Sequence, residues 1–406
     1  MFTFTAKHKQ MMKQVINAVQ PKPHYVILDG LRGVGAIMVL LVHLFETFSL
    51  EDHTTMIINH GYLAVDLFFM LSGYVISYAY DSRWNRMSIK GFLTRRWIRL
   101  QPMIIIGSLL GASLFYFQQS DILGWERIGE TPVWKLLLVT IIGMTIIPVG
   151  KSLDIRGWDE MYPLNGTNWT LFFEYIAYIF YALILRKISK LALGILLGIA
   201  AGFMVHHAFT NSSGVVTGGW SFSDTVHLRI GFVRMSFSFL SGMFLARIFS
   251  LKSLKYAFFT TSLILIAALS VPHLGAEYGK NAFYECFVLM MIFPLLILMS
   301  AGGKVSNPTE KKICLFLGNI SYPMYIIHFP FIYVFRAWAA NENKTLQDTE
   351  SWIYGILIMI ICFVSAYLFM RFYERPLRKW LSTKLLPDQK LPKGSASDLK
   401  KNEFIR

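Results

Sequence analysis

At 406 residues, 54% hydrophobic, 15% aromatic and only 16% charged, with a mean hydropathy of +0.47, the chain is too apolar for a soluble globule. The net charge of +15 gives no reason to infer a nucleic-acid partner, because membrane proteins gather Lys and Arg in their cytoplasmic loops. Cys286, Cys314 and Cys362 lie in or beside apolar runs without CxxC spacing, which predicts buried free thiols rather than disulfides or a metal site.

Residues 1–27 form a basic lead-in, with Pro21 and Pro23 near its end, expected in the cytoplasm or on the membrane surface. The apolar run after Arg32 lacks a small-residue cleavage site and reads as a retained first helix. Counting that helix, apolar runs of about 17–22 residues fall at 33–50, 61–80, 101–118, 133–149, 169–185, 191–209, 230–249, 256–272, 283–300, 316–337 and 352–372. The loop charges do not accept all of these as crossings. With Lys7, Lys9, Lys13 and Lys22 inside, Glu51 and Asp52 fall outside and the basic loop 81–100 falls inside. If 133–149 crossed, the basic segments 186–190, 247–255 and 304–312 would all lie outside, against the positive-inside rule. That run is short and contains Gly143, Pro148 and Gly150, so it is expected to re-enter or to lie at the interface. The predicted fold is therefore all-α and polytopic, with about ten transmembrane helices and one extra segment at 133–149. Both termini are expected in the cytoplasm, with a membrane domain over 28–380 and a polar, disordered tail over 381–406.

The first span is unusual. Arg32 stands at its start, and His43 and Glu46 lie inside it. Eleven residues make about three helical turns, so Arg32 and His43 share a face about 16 Å apart. Glu46, three residues past His43, is within reach of its imidazole. Ionisable side chains in lipid cost roughly 2.5–3.5 kcal/mol on insertion scales, so three on one helix point to a site facing the protein interior. Counting residues along each span places His43 and His328 near mid-membrane, and Asp66, Glu174, Arg234 and Glu285 in the outer third. Arg32, Arg95, Arg96 and Arg99 mark the cytoplasmic edge, where they also fit ordinary positive-inside anchors. The pattern suits a path for an anionic ligand entering from the cytoplasm. A glycan or lipid-linked sugar transporter with His43, Glu46 and Asp66 as a proton relay is the alternative reading.

Six motifs, in order and spanning nearly the whole chain, resemble the membrane acyltransferase-3 family. These are LDGLRGVGAIMVLLVH from Leu28, with Arg32 and His43 separated by ten intervening residues; GYLAVDLFFMLSGYVIS from Gly61, with Asp66, Ser72 and Tyr74; and FLTRRWIRLQP from Phe92, with Arg96 and Arg99 as Arg-x-x-Arg. NWTLFFEY from Asn168 holds Trp169 and Glu174, with Thr170 in place of the usual Ser. LGNISYPMYIIHFP from Leu317 holds His328, and FYERPLRKW from Phe372 closes the set.

The resemblance implies transfer of an acyl group, most often acetyl, from cytoplasmic acyl-CoA to a hydroxyl of an envelope polysaccharide or lipid-linked sugar. It places the protein in a bacterial inner membrane, with acetyl-CoA as cosubstrate, no metal, membrane lipids around it and room for a homo-oligomer. Arg96 and Arg99, with Arg32, would grip the coenzyme phosphates. His43 would act as base toward the hydroxyl or be acylated itself, with Glu46 or Asp66 fixing its tautomer. Trp169, Glu174, His328, Ser72 and Tyr74 are the candidates for holding the acceptor. Some relatives carry an extracytoplasmic hydrolase-like domain after the helices. Here about thirty residues follow Tyr373, so either the membrane domain completes transfer itself or a separate partner does.

Overall fold

The computed structural model describes residues 24–49, 52, 55–222, 225–249 and 254–386. Most of the expected lead-in and most of the expected tail lie outside the described residues. In chain order the helices are α1 Val26–Glu46, α2 Ala64–Tyr80, α3 Ile89–Leu114, α4 Val133–Met144, α5 Asn168–Leu183 and α6 Lys190–Thr210. Next come α7 Thr225–Ile248, α8 Ala257–Leu269 and α9, which runs from Lys280 to Ala301 through a π-helical turn at Val288–Ile292. Last are α10 Pro308–Asn341, α11 Thr349–Phe369, a second π turn at Met370–Glu374, and α12 Arg375–Leu385. No strand forms among the described residues; there are two isolated bridges, Glu160 with Ser221 and Leu254 with Gly303. The three cysteines are buried free thiols.

The chain is a polytopic all-α membrane protein: among the described residues, eight helical stretches are long and apolar enough to cross a membrane. Val133–Met144 and Ala257–Leu269 are apolar but shorter. Three helix starts carry side-chain caps: Ser88 for α3, Ser189 for α6, and Asn307 followed by Pro308 for α10.

Contacts between distant helices set their relative directions. Arg32 of α1 meets Gly318 and Ser321 of α10, while further along both helices His43 stacks on His328 and Glu46 pairs with Arg336. α1 and α10 therefore run parallel. They also pack closely, since a Cβ added at Gly33 would overlap Leu317 and one at Gly318 would overlap Asp29. Two parallel helices that both cross must be separated by an odd number of crossings. The long apolar stretches between them, α2, α3, α6, α7 and α9, satisfy that parity, and so do these five with α5 and α8 added; adding α4 alone to either set would break it.

The path of the chain around α4 agrees. Tyr116, just beyond α3, donates to the Thr131 carbonyl at 2.8 Å before α4 begins. α4 is about 18 Å long and ends where Gln101, midway along α3, donates to the Met144 carbonyl. The chain then doubles back: Tyr162 donates to the Ile146 carbonyl at 2.5 Å, and the Val149 amide donates to the Met161 carbonyl at 3.0 Å. Asn165 donates to the Ile326 carbonyl at 2.8 Å, so α5 starts below the end of the bundle. Segment 133–149 is a short helix followed by a chain reversal, with Leu136, Val139, Thr140 and Gly143 buried and Val133, Trp134, Leu137 and Ile141 exposed, which fits the expected re-entrant or interfacial segment.

Candidate functional site

α1 begins at Val26, earlier than the apolar run suggests, because its polar start is satisfied inside the bundle. Arg32 Nε donates to Ser321 Oγ at 2.9 Å and Nη2 to the Gly318 carbonyl at 2.9 Å. Asp29 lies 3.1 Å from Arg32 and 2.6 Å from His24. The shift moves His43 into the last turn of the helix, about 25 Å from its start, rather than to mid-span as residue counting placed it.

At that end, His43 Nδ1 donates to Glu46 Oε2 at 2.7 Å, and the same oxygen lies 3.1 Å from Arg336 Nη2. A carboxylate only accepts, so Nδ1 carries a proton and, in the neutral ring, His43 Nε2 carries the lone pair. The His43 side chain keeps 20% of its exposure, so that lone pair borders accessible space. His328 stacks on His43 with ring centroids 5.5 Å apart, and Phe329 meets His43 edge-on at 4.6 Å. An accessible base, a carboxylate fixing its tautomer and a cation holding that carboxylate can promote nucleophilic or general-base chemistry.

The opposite end of the bundle is cationic. Arg96 lies over Tyr80 at 4.9 Å and Tyr178 at 5.8 Å, and donates to the Tyr80 hydroxyl. Arg99, one turn on and half-buried, has no hydrogen bond or ion pair among the described residues. Arg378 of α12 holds Glu374 at 2.8 Å, and its charge and that of Arg32 both act on Arg99. The two residues of the Arg-x-x-Arg pair thus differ: Arg96 is enclosed by aromatic rings, whereas Arg99 is uncommitted.

The remaining predicted residues divide among other places. Asp66 does not reach His43. Fully buried, it is clamped by Arg234 at 2.7 Å, with a further contact from Ser238 at 3.5 Å, so the relay His43–Glu46–Asp66 does not form. Trp169 packs under Arg234 and edge-on to Phe173. Glu174 lies in the second turn of α5. It accepts from Ser72 at 2.8 Å and from Tyr178, which places it and Ser72 on the Arg96 side. Tyr74 is buried against Tyr25. Of the predicted set, the structure brings together His43, Glu46 and His328 at one end, and Arg96, Glu174 and Ser72 toward the other.

A family model for the acyltransferase domain of the acyltransferase-3 family matches residues 25–371. The chain belongs to the acyltransferase-3 family. It is similar to "Protein 2 in picA locus" of Rhizobium radiobacter, 30% identical over 173 residues, which is 40% of this chain and 83% of that protein. It is also similar to "Peptidoglycan O-acetyltransferase OatA" of Listeria monocytogenes, 24% identical over 376 residues, 87% of this chain and 55% of that protein. A Staphylococcus aureus relative matches over the same 87% at 24% identity, on 57% of its own length. The chain thus spans little more than half of these longer relatives. No solved structure matches it.

Within this acyltransferase-3 chain, residue reading missed Arg336, Arg378 and the role of Arg234. A cation late in an apolar helix is a usable signal for Arg336 and Arg234. Arg378 lies inside the closing motif FYERPLRKW, but its residue type does not single it out in an amphipathic basic helix like many that merely rest on a membrane surface.

Proposed function

We propose that the protein is a membrane O-acyltransferase that moves an acetyl group from acetyl-CoA to a hydroxyl of an envelope polysaccharide or lipid-linked sugar. Residues 28–380 are its catalytic membrane domain. The observation that carries this reading is the accessible Nε2 of His43, in a ring oriented by Glu46 and Arg336, on the same helix as the cationic end. Family membership supports acyl transfer, and the name of the Listeria relative supports acetyl as the group and a glycan as the acceptor class. Arg83, Arg86, Lys187, Lys304 and Lys379 lie toward the Arg32 end, which supports placing that end in the cytoplasm.

In this reading the coenzyme phosphates settle at Arg99, with Arg378 and Arg32 beside it, as charge-assisted forks. The pantetheine arm carries the thioester toward the His43 end. There Nε2 meets the reacting acyl carbon as nucleophile or the hydroxyl proton as base, and Glu46 balances the imidazolium charge. Asp66 and Arg234 hold α2 and α7 in register. The test is a membrane preparation given radiolabelled acetyl-CoA, with O-acetylated glycan measured by mass spectrometry. Labelled glycan that disappears in His43→Ala is the expected result; unchanged O-acetylation in that variant overturns the reading.

A further inference from the structure

His328 is 1% exposed and stacks on His43 with planes 25° from parallel. Its Nδ1 lies 3.1 Å from the Met324 carbonyl oxygen. A carbonyl only accepts, so Nδ1 carries the proton and Nε2 of the neutral ring has a lone pair. That Nε2 is buried and meets no hydrogen-bond partner. A buried acceptor left unmet is unfavourable, and it marks a place where a donor is expected to arrive. His43 has the matching arrangement, with Nδ1–H held by Glu46 and Nε2 unshared. Two stacked imidazoles therefore offer two lone pairs, each with its tautomer fixed from behind.

We propose that the pair divides the reaction: His43 carries the acyl group, and His328 is the general base that deprotonates the acceptor hydroxyl. The inference rests on the acetyl-CoA-to-hydroxyl reading above. In the first half, His43 Nε2 attacks the thioester carbonyl carbon; the N–C bond forms, the C–S bond breaks, and coenzyme A leaves as its thiolate. In the second half, the hydroxyl oxygen attacks the acyl carbon while its proton passes to His328 Nε2. The C–N bond breaks and its electron pair returns to His43. His328 releases the proton to water and the thiolate takes one up, which closes the balance. Once acylated, His43 Nε2 cannot itself accept that proton, so a second lone pair in the same cluster meets a need the first leaves open.

His328→Asn is the deciding variant, because its amide retains a donor near Nδ1 for Met324 while the Nε2 atom is lost. With radiolabelled acetyl-CoA, the variant is expected to form and retain an acyl-enzyme, with transfer to the glycan reduced about 10²–10⁴-fold. His43→Ala removes the label. Added imidazole is expected to restore part of the transfer in His328→Gly, which a packing role for the ring does not predict. Wild-type transfer rates in His328→Asn overturn the proposal, as does loss of both labelling and imidazole rescue in the two His328 variants. A wild-type protein that moves no acetyl from acetyl-CoA overturns the parent reading instead.

Discussion

Arg336 approaches Glu46 at 3.1 Å, on the same carboxylate oxygen that holds His43 Nδ1 at 2.7 Å. The guanidinium lies eight residues beyond His328 on α10, so one helix supplies both the ring stacked on His43 and the cation behind its carboxylate. Removing that cation leaves Glu46 in place but less well aimed. Arg336→Met is expected to lower kcat about 10–100-fold, the usual range for outer partners of a reacting group, with KM for acetyl-CoA unchanged. Glu46→Gln is expected to lower it further, since the amide no longer balances an imidazolium. Steady-state kinetics in liposomes check both; wild-type kcat in Arg336→Met would exclude the positioning role.

Arg99 and Arg96 are expected to separate in their effects. Arg99 is uncommitted, so Arg99→Ala removes donor contacts and raises KM for acetyl-CoA about 10–100-fold, the loss of one charge-assisted hydrogen bond. A short acetyl thioester lacking the nucleotide should show no such change. Arg96 is held by Tyr80 and Tyr178, so Arg96→Ala also lowers the melting temperature in detergent. Equal KM penalties for both thioesters in Arg99→Ala would argue against phosphate binding there.

The Asp66–Arg234 pair predicts a stability effect. Breaking a buried pair by removing one partner costs roughly 3–5 kcal/mol, whereas replacing both with apolar residues is far milder. Asp66→Asn and Arg234→Met should each lower thermal stability sharply, and Asp66→Leu combined with Arg234→Met should recover much of it. Thermal unfolding in detergent measures this. If Asp66→Asn melts like the wild type but loses turnover, the residue acts in the reaction rather than in the scaffold.

The re-entrant α4 predicts a labelling pattern. Cysteines placed at Lys135 and Lys151 should react with a membrane-impermeant maleimide from the same side, and cysteines at Lys187 and Lys304 from the opposite side. Lys135 and Lys151 reacting from opposite sides would make α4 a crossing and refute the parity argument.

Some of this arrangement was readable in the sequence and some was not. His43 and Glu46 sit three apart on one helix, so spacing alone anticipated their contact. The odd status of 133–149 was readable because one extra crossing would reverse every basic loop after it. Asp66 looked free to serve His43 because its partner lies 168 residues away on α7, and only tertiary packing brings the two together. The positions of His43 and Glu174 along the bundle depend on packing that the sequence does not show. A polar stretch, LDGLRG, is helical because α10 satisfies it, and the start of α5 is tied to α10 through Asn165 and the Ile326 carbonyl.

The close packing of α1 against α10 has a consequence for which donors fit. α1 runs from Val26 to Glu46 without proline, tied to α10 near its start and again at its end. A strut braced in this way keeps its cationic foot and its reactive tip at one separation. In the proposed reading this spacing acts as a molecular ruler: a carrier whose arm is too short would leave its thioester short of His43, however tightly its phosphates were held. Selection by reach rather than by shape would leave the acyl group itself free to vary beyond the ring, and any change in donor class would have to lengthen or shorten the helix.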